Sequence, residues 1–234
     1  MDLSADLRSL LTSSGACLVG YADLADLPED ARAGLPRGVS LAVPLDPAII
    51  ARLLEGPFPE YVDLYRERNA LLNTLAEQAA AFLQTQGYAA LPQRATDGPQ
   101  DRATLTTPLP HKTVATLAGL GWIGKCALLI TREFGSALRL NSVLTDAPLP
   151  VAEPVTESRC GACVLCTAIC PGTAVSGELW QAGQPREALL DAFTCFREHK
   201  RQMESAGMDY ALCGRCITVC PWTQSYLQQA AKLT

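Results

Sequence analysis

Hydrophobic residues recur at helical spacing in three segments of the first part of the chain. The spacing predicts a helix over residues 2–13 that ends near Gly15, and a longer one over residues 60–86 that ends at Gly87. A shorter helix is predicted over residues 111–118. The apolar positions that define the longest helix are Tyr61, Leu64, Leu71, Leu75 and Phe82.

Four short runs of apolar and β-branched residues predict buried strands. They lie at residues 16–21, 39–43, 127–131 and 139–145. Helices and strands therefore mix along this part of the chain, and we expect an α+β fold.

Two proline-containing segments interrupt this pattern. Residues 92–110 contain four prolines and a glycine, which predicts a long loop of the kind that often carries function. Residues 146–157 contain three prolines, which oppose a helix and keep the chain extended. We place a domain boundary there, giving a first domain at 1–150 and a second at 151–234.

Composition and charge exclude several classes of protein. The chain of 234 residues is 48% hydrophobic and has a formal net charge of −5, with only four lysines among its 19 basic residues. This is a globular composition that does not favour a broad phosphate-binding surface. The N-terminus has no basic head followed by an apolar run, and no apolar stretch approaches the ~18 residues that span a bilayer. We expect a soluble, cytoplasmic protein with no membrane partner.

The cysteines carry the clearest chemistry in the sequence. Eight of the ten fall between Cys160 and Cys220, where the pattern Cys-x-x-Cys-x-x-x-Cys-Pro occurs twice. The first copy supplies four thiols, from Cys160, Cys163, Cys166 and Cys170. The second supplies three, from Cys213, Cys216 and Cys220, and Tyr210 stands where a further cysteine is expected. Cys195, inside a predicted helix, can replace it.

Each quartet of thiolates suits one 4Fe-4S cluster. In two-cluster ferredoxins the cysteine before proline binds the cluster of the other motif. Carried over, cluster one uses Cys160, Cys163, Cys166 and Cys220, and cluster two uses Cys195, Cys213, Cys216 and Cys170. The alternative is a pair of four-cysteine zinc sites, but zinc sites usually use two Cys-x-x-Cys pairs with a longer spacer. The triple spacing and the trailing Cys-Pro favour iron and one-electron transfer.

Other motifs are weaker. The turn Gly119–Lys125 matches a dinucleotide fingerprint and nearly a phosphate loop, but a predicted helix precedes it and a predicted strand follows, which is the wrong order for either. Cys17 and Cys126 read as buried thiols. His199 reads as part of a solvated helix face, and His111 reads equally well as a helix-start residue or a cofactor contact.

The chain resembles epoxyqueuosine reductase, and most closely short relatives with a double-cluster domain; that family is distantly similar to reductive dehalogenases. The resemblance rests on Pro110-His-Lys112, Ala118–Lys125, Leu144–Pro150 and the cysteine blocks that end at Trp222. It implies a nitroreductase-like α/β domain that cradles cobalamin, beside a ferredoxin-like domain whose clusters reduce cobalt. The residues that would line the cobalamin site are His111, Lys112, Gly119, Gly121, Trp122, Gly124, Lys125 and Asp146.

The sequence also departs from that family. Leu105 stands where the full-length tRNA enzyme has a catalytic aspartate, although Asp97 and Asp101 are near in sequence. The full-length enzyme continues into helical repeats that help hold tRNA, whereas this sequence ends shortly after Cys220. With the acidic charge, this makes tRNA an unexpected partner, and the catalytic residues stay unassigned.

Three functions remain open at this point. The first is a cobalamin-dependent iron–sulfur reductase acting on a small-molecule or corrinoid substrate, with a donor such as ferredoxin or flavodoxin. The second is a non-enzymatic electron carrier or a reductive activator of a partner's corrinoid. The third is a cluster protein whose first domain binds flavin or nothing. Two clusters need only about 60–80 residues, well below the usual domain size, so the first 150 residues have some further role.

Overall fold

The structure is a computed structural model that describes residues 2–56, 58–96, 101 and 103–232. Its helices are α1 (Leu3–Ser13), α2 (Pro47–Ala51), α3 (Pro59–Thr85), α4 (His111–Leu117), α5 (Leu165–Ile169), α6 (Ala192–Ser205), α7 (Arg215–Thr218) and α8 (Pro221–Ala230). Its strands are β1 (Leu18–Asp23), β2 (Arg37–Pro44), β3 (Ala90–Pro92), β4 (Trp122–Ile123), β5 (Leu129–Ile130) and β6 (Leu138–Thr145). Short 3₁₀ turns lie at Arg52–Leu54 and Arg186–Ala188.

The chain folds into two compact units that are each built from several segments. The first unit comprises the described residues of Met1–Pro44, Glu67–Leu120 and Arg139–Val155. The second comprises those of Leu45–Arg66, Gly121–Leu138 and Thr156–Thr234. The domain boundary near residue 150 stays a prediction. The second compact unit also includes the earlier segments Leu45–Arg66 and Gly121–Leu138.

The first unit contains a four-stranded sheet in the order β1-β2-β6-β3. Strands β1 and β2 are antiparallel, with Leu18 opposite Ala42, and β3 and β6 are antiparallel, with Ala90 opposite Thr145. Asp2 caps the N-terminus of α1, and its carboxylate accepts hydrogen bonds from the backbone N–H groups of Ser4 and Ala5. The predicted helices at 2–13, 60–86 and 111–118 and the predicted strands at 39–43 and 139–145 are confirmed.

The core of the first unit forms where α1 and α3 cover this sheet. Leucines of both helices are completely buried with the inward residues of β2; these fully buried side chains are Leu7, Leu11, Leu72, Leu75, Leu83, Val39, Leu41 and Val43. The buried Asn141 on β6 donates from Nδ2 to the Leu72 carbonyl at 3.1 Å, which ties the sheet to α3. The helical spacing read from the sequence therefore marks the face that α3 buries.

The second unit has a core of its own. Its buried residues are Leu45, Ile50, Leu53, Tyr61, Leu64, Ala137 and Ile217. Thr218 donates from Oγ1 to the Ile50 carbonyl at 2.7 Å, and Tyr226 donates from its hydroxyl to the Leu45 carbonyl at 2.9 Å. These bonds fix α7 and α8, which flank Cys220, on segment 45–66.

Three sequence predictions need adjustment. The strand predicted at 16–21 lies two residues later, at Leu18–Asp23. The strand predicted at 127–131 shortens to Leu129–Ile130, because Ala127 takes a left-handed conformation (φ 58°) in a turn closed by its N–H on the Gly124 carbonyl. The loop predicted at 92–110 begins after β3 and contains an Asp101–Thr106 bridge, while residues 97–100 and 102 lie outside the described residues.

Within the described part of the chain, none of the helices combines the length and the apolar character that crossing a bilayer requires.

Candidate metal centre

A cavity of about 290 Å³ in the second unit is bordered by the thiols of both cysteine motifs. Its walls carry Cys160, Cys163, Cys166, Cys216, Cys220 and also Cys126. The first motif reaches the cavity from the loop before α5 and from α5 itself. The second reaches it from α7 and from the residue before α8.

The structure places the last cysteine of the second motif beside the first motif. Burial raises the pKa of the Cys220 thiol, and the nearby thiols of Cys160 and Cys166 raise it further. Pro221 opens α8 directly after Cys220 and supplies the fixed φ of a first helical residue. This is the neighbourhood that the crossed ligand set for cluster one requires.

A second group of thiols, from Cys170, Cys195 and Cys213, lies around Cys195 on α6. Burial, followed by the neighbouring thiols of Cys170 and Cys213, raises the pKa of Cys195 to about 11. Cys170 also accepts a hydrogen bond from the backbone N–H of Ala174 at 3.3 Å. Cys170 therefore lies with thiols of the second motif, as the crossed set for cluster two requires, and the full ligand assignment stays a prediction.

Charge and shape at these thiols fit anionic metal clusters. Lys125 is buried, with 6% of its surface exposed, and lies in the cavity wall beside the cysteines. Arg215 lies close enough to Cys213 to favour its thiolate, although burial, the larger influence, raises the pKa of that thiol. Among the described residues, no group of three or more His, Cys, Asp or Glu side chains is placed to hold a single metal ion. The thiols border a space, and cations near them offset thiolate charge.

Trp222 forms part of the cavity wall and is backed by a second tryptophan. Trp222 packs edge-on against Trp122 with ring centroids 5.1 Å apart, and the guanidinium of Arg159 lies 5.8 Å from the Trp122 ring centroid. Trp122 is almost fully buried, and its Nε1 has no hydrogen-bond partner among the described residues.

Sequence reasoning missed two contacts of this centre. Cys126 is buried as predicted, but it also lies in the cavity wall. Its hydrogen bond to Cys166 is the main cause, and burial the second, of the raised pKa of the Cys166 thiol. His199 was predicted to be solvated, but it is partly buried and its Nε2 lies 3.3 Å from the Cys195 Sγ. Spacing could have indicated the second contact, because residues four apart share one helix face. No spacing signal marks Cys126.

His111 opens α4 in the first unit and is held on both sides of its ring. Nδ1 lies 3.1 Å from the Ser142 hydroxyl and Nε2 lies 3.1 Å from the Arg94 carbonyl oxygen. Burial lowers the pKa of His111, the Arg94 carbonyl opposes this shift, and the charge of Arg139 lowers the pKa further. His111 is therefore neutral and structurally engaged at neutral pH.

Because the pKa of His111 is lowered in the folded protein, we expect the folded state to lose stability in mild acid. Because the folded pKa lies below the unfolded value of about 6.5, the unfolded chain binds more protons as the pH falls through that value. We expect the urea midpoint of unfolding to drop between pH 7.5 and pH 5.5, and to drop less in His111→Gln, which does not titrate. Lys112→Gln is the control, since lysine stays charged across this range. An unchanged pH dependence in His111→Gln contradicts the prediction.

The glycines of the predicted cofactor turn are constrained by their own neighbours. A side chain at Gly119, which has φ 70°, would approach the Glu153 carbonyl oxygen to 3.0 Å. Gly121 faces the Ile130 backbone. Gly124 faces the Ile130 side chain, and a Cβ at this position would lie 3.5 Å from the Cys160 Sγ. In the second unit the turn thus packs against the cluster motif.

The remaining predicted site residues lie in the first unit. Lys112 is partly exposed on α4, and Asp146 is exposed, with its Oδ1 accepting the Ala89 N–H at 2.8 Å. Asp101 is exposed and engaged locally, accepting the Ala103 N–H and the Thr104 hydroxyl, each at 2.8 Å. Asp97 lies outside the described residues.

Comparison with known proteins agrees with this centre. Residues 159–223 match the 4Fe-4S double cluster binding domain, which supports two 4Fe-4S clusters. Epoxyqueuosine reductase of Escherichia coli strain K12 is 34% identical over 128 residues, which cover 51% of this chain and 31% of the relative. The resemblance to epoxyqueuosine reductase is confirmed. The chain spans about a third of the length of the Escherichia coli and Shigella dysenteriae enzymes that it matches.

Solved structures share the fold at low identity. A reductive dehalogenase, whose structure suggests a mechanism for B12-dependent dehalogenation, superposes with a TM-score of 0.72 at 18% identity. The match covers 96% of this chain and 33% of the other. An epoxyqueuosine reductase with a tRNA stem loop gives 0.64 at 18%, covering 96% and 66%. The Bacillus subtilis enzyme, in which a catalytic aspartate loop is swung out of the active site, gives 0.63 at 18%, covering 96% and 66%. The chain therefore shares the mixed helix and sheet fold of these reductive dehalogenase and epoxyqueuosine reductase structures.

Proposed function

We propose that this chain is an iron–sulfur oxidoreductase that passes electrons from two 4Fe-4S clusters to a bound cobalamin, in the manner of epoxyqueuosine reductase. The observation that carries the proposal is the cavity in the second unit, which is bordered by thiols from both cysteine motifs. Iron–sulfur clusters bound by such motifs transfer electrons singly. The chain's own groups supply thiolate ligands, nearby cations and shielding from water.

Cobalamin is the finer part of the proposal. It is supported by the fold shared with a B12-dependent dehalogenase and by the residues on which the family resemblance rests. Exposure divides those residues by role. Lys112, Gly119 and Asp146, all in the first unit, are exposed or partly exposed and could contact a large ligand, whereas Trp122 and Lys125 in the second unit are buried. When bound, cobalamin supplies low-valent cobalt as the reductant, and the protein sets its position and potential.

Anaerobic titration of the iron-loaded protein with cobalamin tests this part. We expect an absorbance change typical of base-off cobalamin, and a dissociation constant that rises about tenfold or more in Lys112→Ala, because a hydrogen bond from a charged group contributes ~1.5–3 kcal/mol. Iron content should not change.

Lys232→Ala is the matched control, since it removes an exposed lysine of the second unit. If the wild-type protein shows no binding at high micromolar cobalamin, that result would falsify the cobalamin role. Loss of iron in Lys112→Ala would show that the residue belongs to the metal centre instead.

A second candidate function is a non-enzymatic electron carrier or a reductive activator of a partner's corrinoid. The observation that favours it is the absence of the family's catalytic aspartate at Leu105, which takes a left-handed conformation with φ 54°. Asp101, the nearest described alternative, is committed to local hydrogen bonds. Reduction of an added corrinoid protein without cobalamin bound to this chain would select this function.

For tRNA, the sequence and the comparisons point in different directions. The acidic charge makes tRNA an unexpected partner, yet a structural relative has been solved with a tRNA stem loop. Fluorescence anisotropy with such a stem loop decides between them, and binding that weakens steeply with added salt would overturn the sequence-based expectation.

A further inference from the structure

The ring of His199 lies against a predicted cluster ligand. Both residues belong to α6, four positions apart, so their side chains share one face. The distance from His199 Nε2 to the Cys195 Sγ is 3.3 Å, and both side chains are partly buried. The neighbouring carboxylate of Glu198 accepts hydrogen bonds from Arg201 at 2.6 Å and from Gln202 at 2.8 Å.

The direction of this hydrogen bond follows from the chemistry of the ligand. A cysteine bound to iron is a thiolate, which can only accept, so the imidazole must donate its N–H to the sulfur. A donor at a ligand sulfur stabilises the state with more negative charge. Hydrogen bonds to sulfur are among the features that set the potential of an iron–sulfur cluster.

We propose that His199 is a positioning residue of cluster two. The hydrogen bond from its ring N–H to the Cys195 sulfur raises the reduction potential of that cluster. The inference rests on the proposed function, because it requires the cluster to be present. On reduction one electron enters the cluster from an external donor, which is dithionite in the assay. No covalent bond forms or breaks, and the imidazole keeps its proton.

The test is a redox titration of the iron-loaded protein, followed by electron paramagnetic resonance. In His199→Ala we expect one cluster to show about a tenfold lower ratio of reduced to oxidised form at fixed potential, which is about 59 mV for one electron. The other cluster and the iron content should not change. His199→Gln, which keeps a side-chain N–H, should lower the potential less than His199→Ala does. Lys200→Ala, the exposed neighbour on α6, is the control.

A second measurement needs no substitution. The chain has two histidines, so labelling with ¹⁵N-histidine and pulsed spectroscopy of the reduced cluster reports on very few nuclei. A weak coupling to one imidazole nitrogen, absent in His199→Gln, supports the proposal.

Three results overturn the inference in distinguishable ways. Unchanged potentials in His199→Ala with full iron show that the ring has no influence on the cluster. Loss of about half the iron, or a coupling as strong as direct ligation gives, makes His199 a ligand and not a positioning residue. A wild-type protein that takes up no iron overturns the proposed function itself.

Discussion

Replacing Cys220 with alanine is expected to remove about half of the bound iron, or more. The reconstituted wild-type chain should hold about eight irons if each quartet of thiolates binds one 4Fe-4S cube. Cys220 is buried, lies in the cavity wall and neighbours Cys160 and Cys166, although it belongs to the second motif by sequence. A cube that loses one of its four thiolates is exposed to solvent, and we expect cluster one to be lost.

Iron and acid-labile sulfide analysis, together with the visible absorbance, measures this effect. Cys17→Ala is the first control, because Cys17 lies in the first unit, and it should retain about eight irons. Cys126→Ala is the sharper control, since this thiol lies in the same cavity but outside both motifs. If Cys126→Ala loses iron and Cys220→Ala does not, the crossed ligand set is wrong. A colourless protein with two zinc ions would restore the zinc alternative.

The second large effect is expected for Gly135→Ala, which should destabilise the second unit by about 2–5 kcal/mol. Gly135 has φ 56°, where a side chain costs roughly 1–2 kcal/mol, and a Cβ there would overlap the backbone of Thr223, including its Cα at 2.6 Å. Overpacking of this kind adds ~1–3 kcal/mol. Neither partner is free to move, because Gly135 pairs with Thr131 and the Thr223 hydroxyl accepts the Ser136 N–H at 3.1 Å.

Gly183→Ala separates these two contributions. Gly183 also has a positive φ, of 84°, but no described atom lies within 4 Å of a Cβ placed there. It should show only the backbone cost of roughly 1–2 kcal/mol. Urea unfolding of both variants gives the comparison, and equal losses of stability would show that the contact with Thr223 is unimportant. Since Thr223 stands in the first turn of α8, just after Cys220, we also expect Gly135→Ala to bind less iron.

The sequence by itself determined helices α1, α3 and α4, strands β2 and β6, and the chemistry of the cysteines. Helical spacing in α3 marks its buried face because apolar side chains must leave water wherever the chain folds. The doubled Cys-Pro pattern indicates clusters because spacing within one loop fixes how many thiolates one metal group can receive. Both signals are local, so they are readable along the chain.

Only the tertiary structure decided which residues from distant segments meet. It placed Cys126 in the wall of the cluster cavity, although no spacing signal marks that position. It also engaged both nitrogens of His111 and packed Gly121 and Gly124 against Ile130. Such contacts depend on how elements pack, and packing is set by the sum of many weak interactions across the whole chain, which no local spacing records.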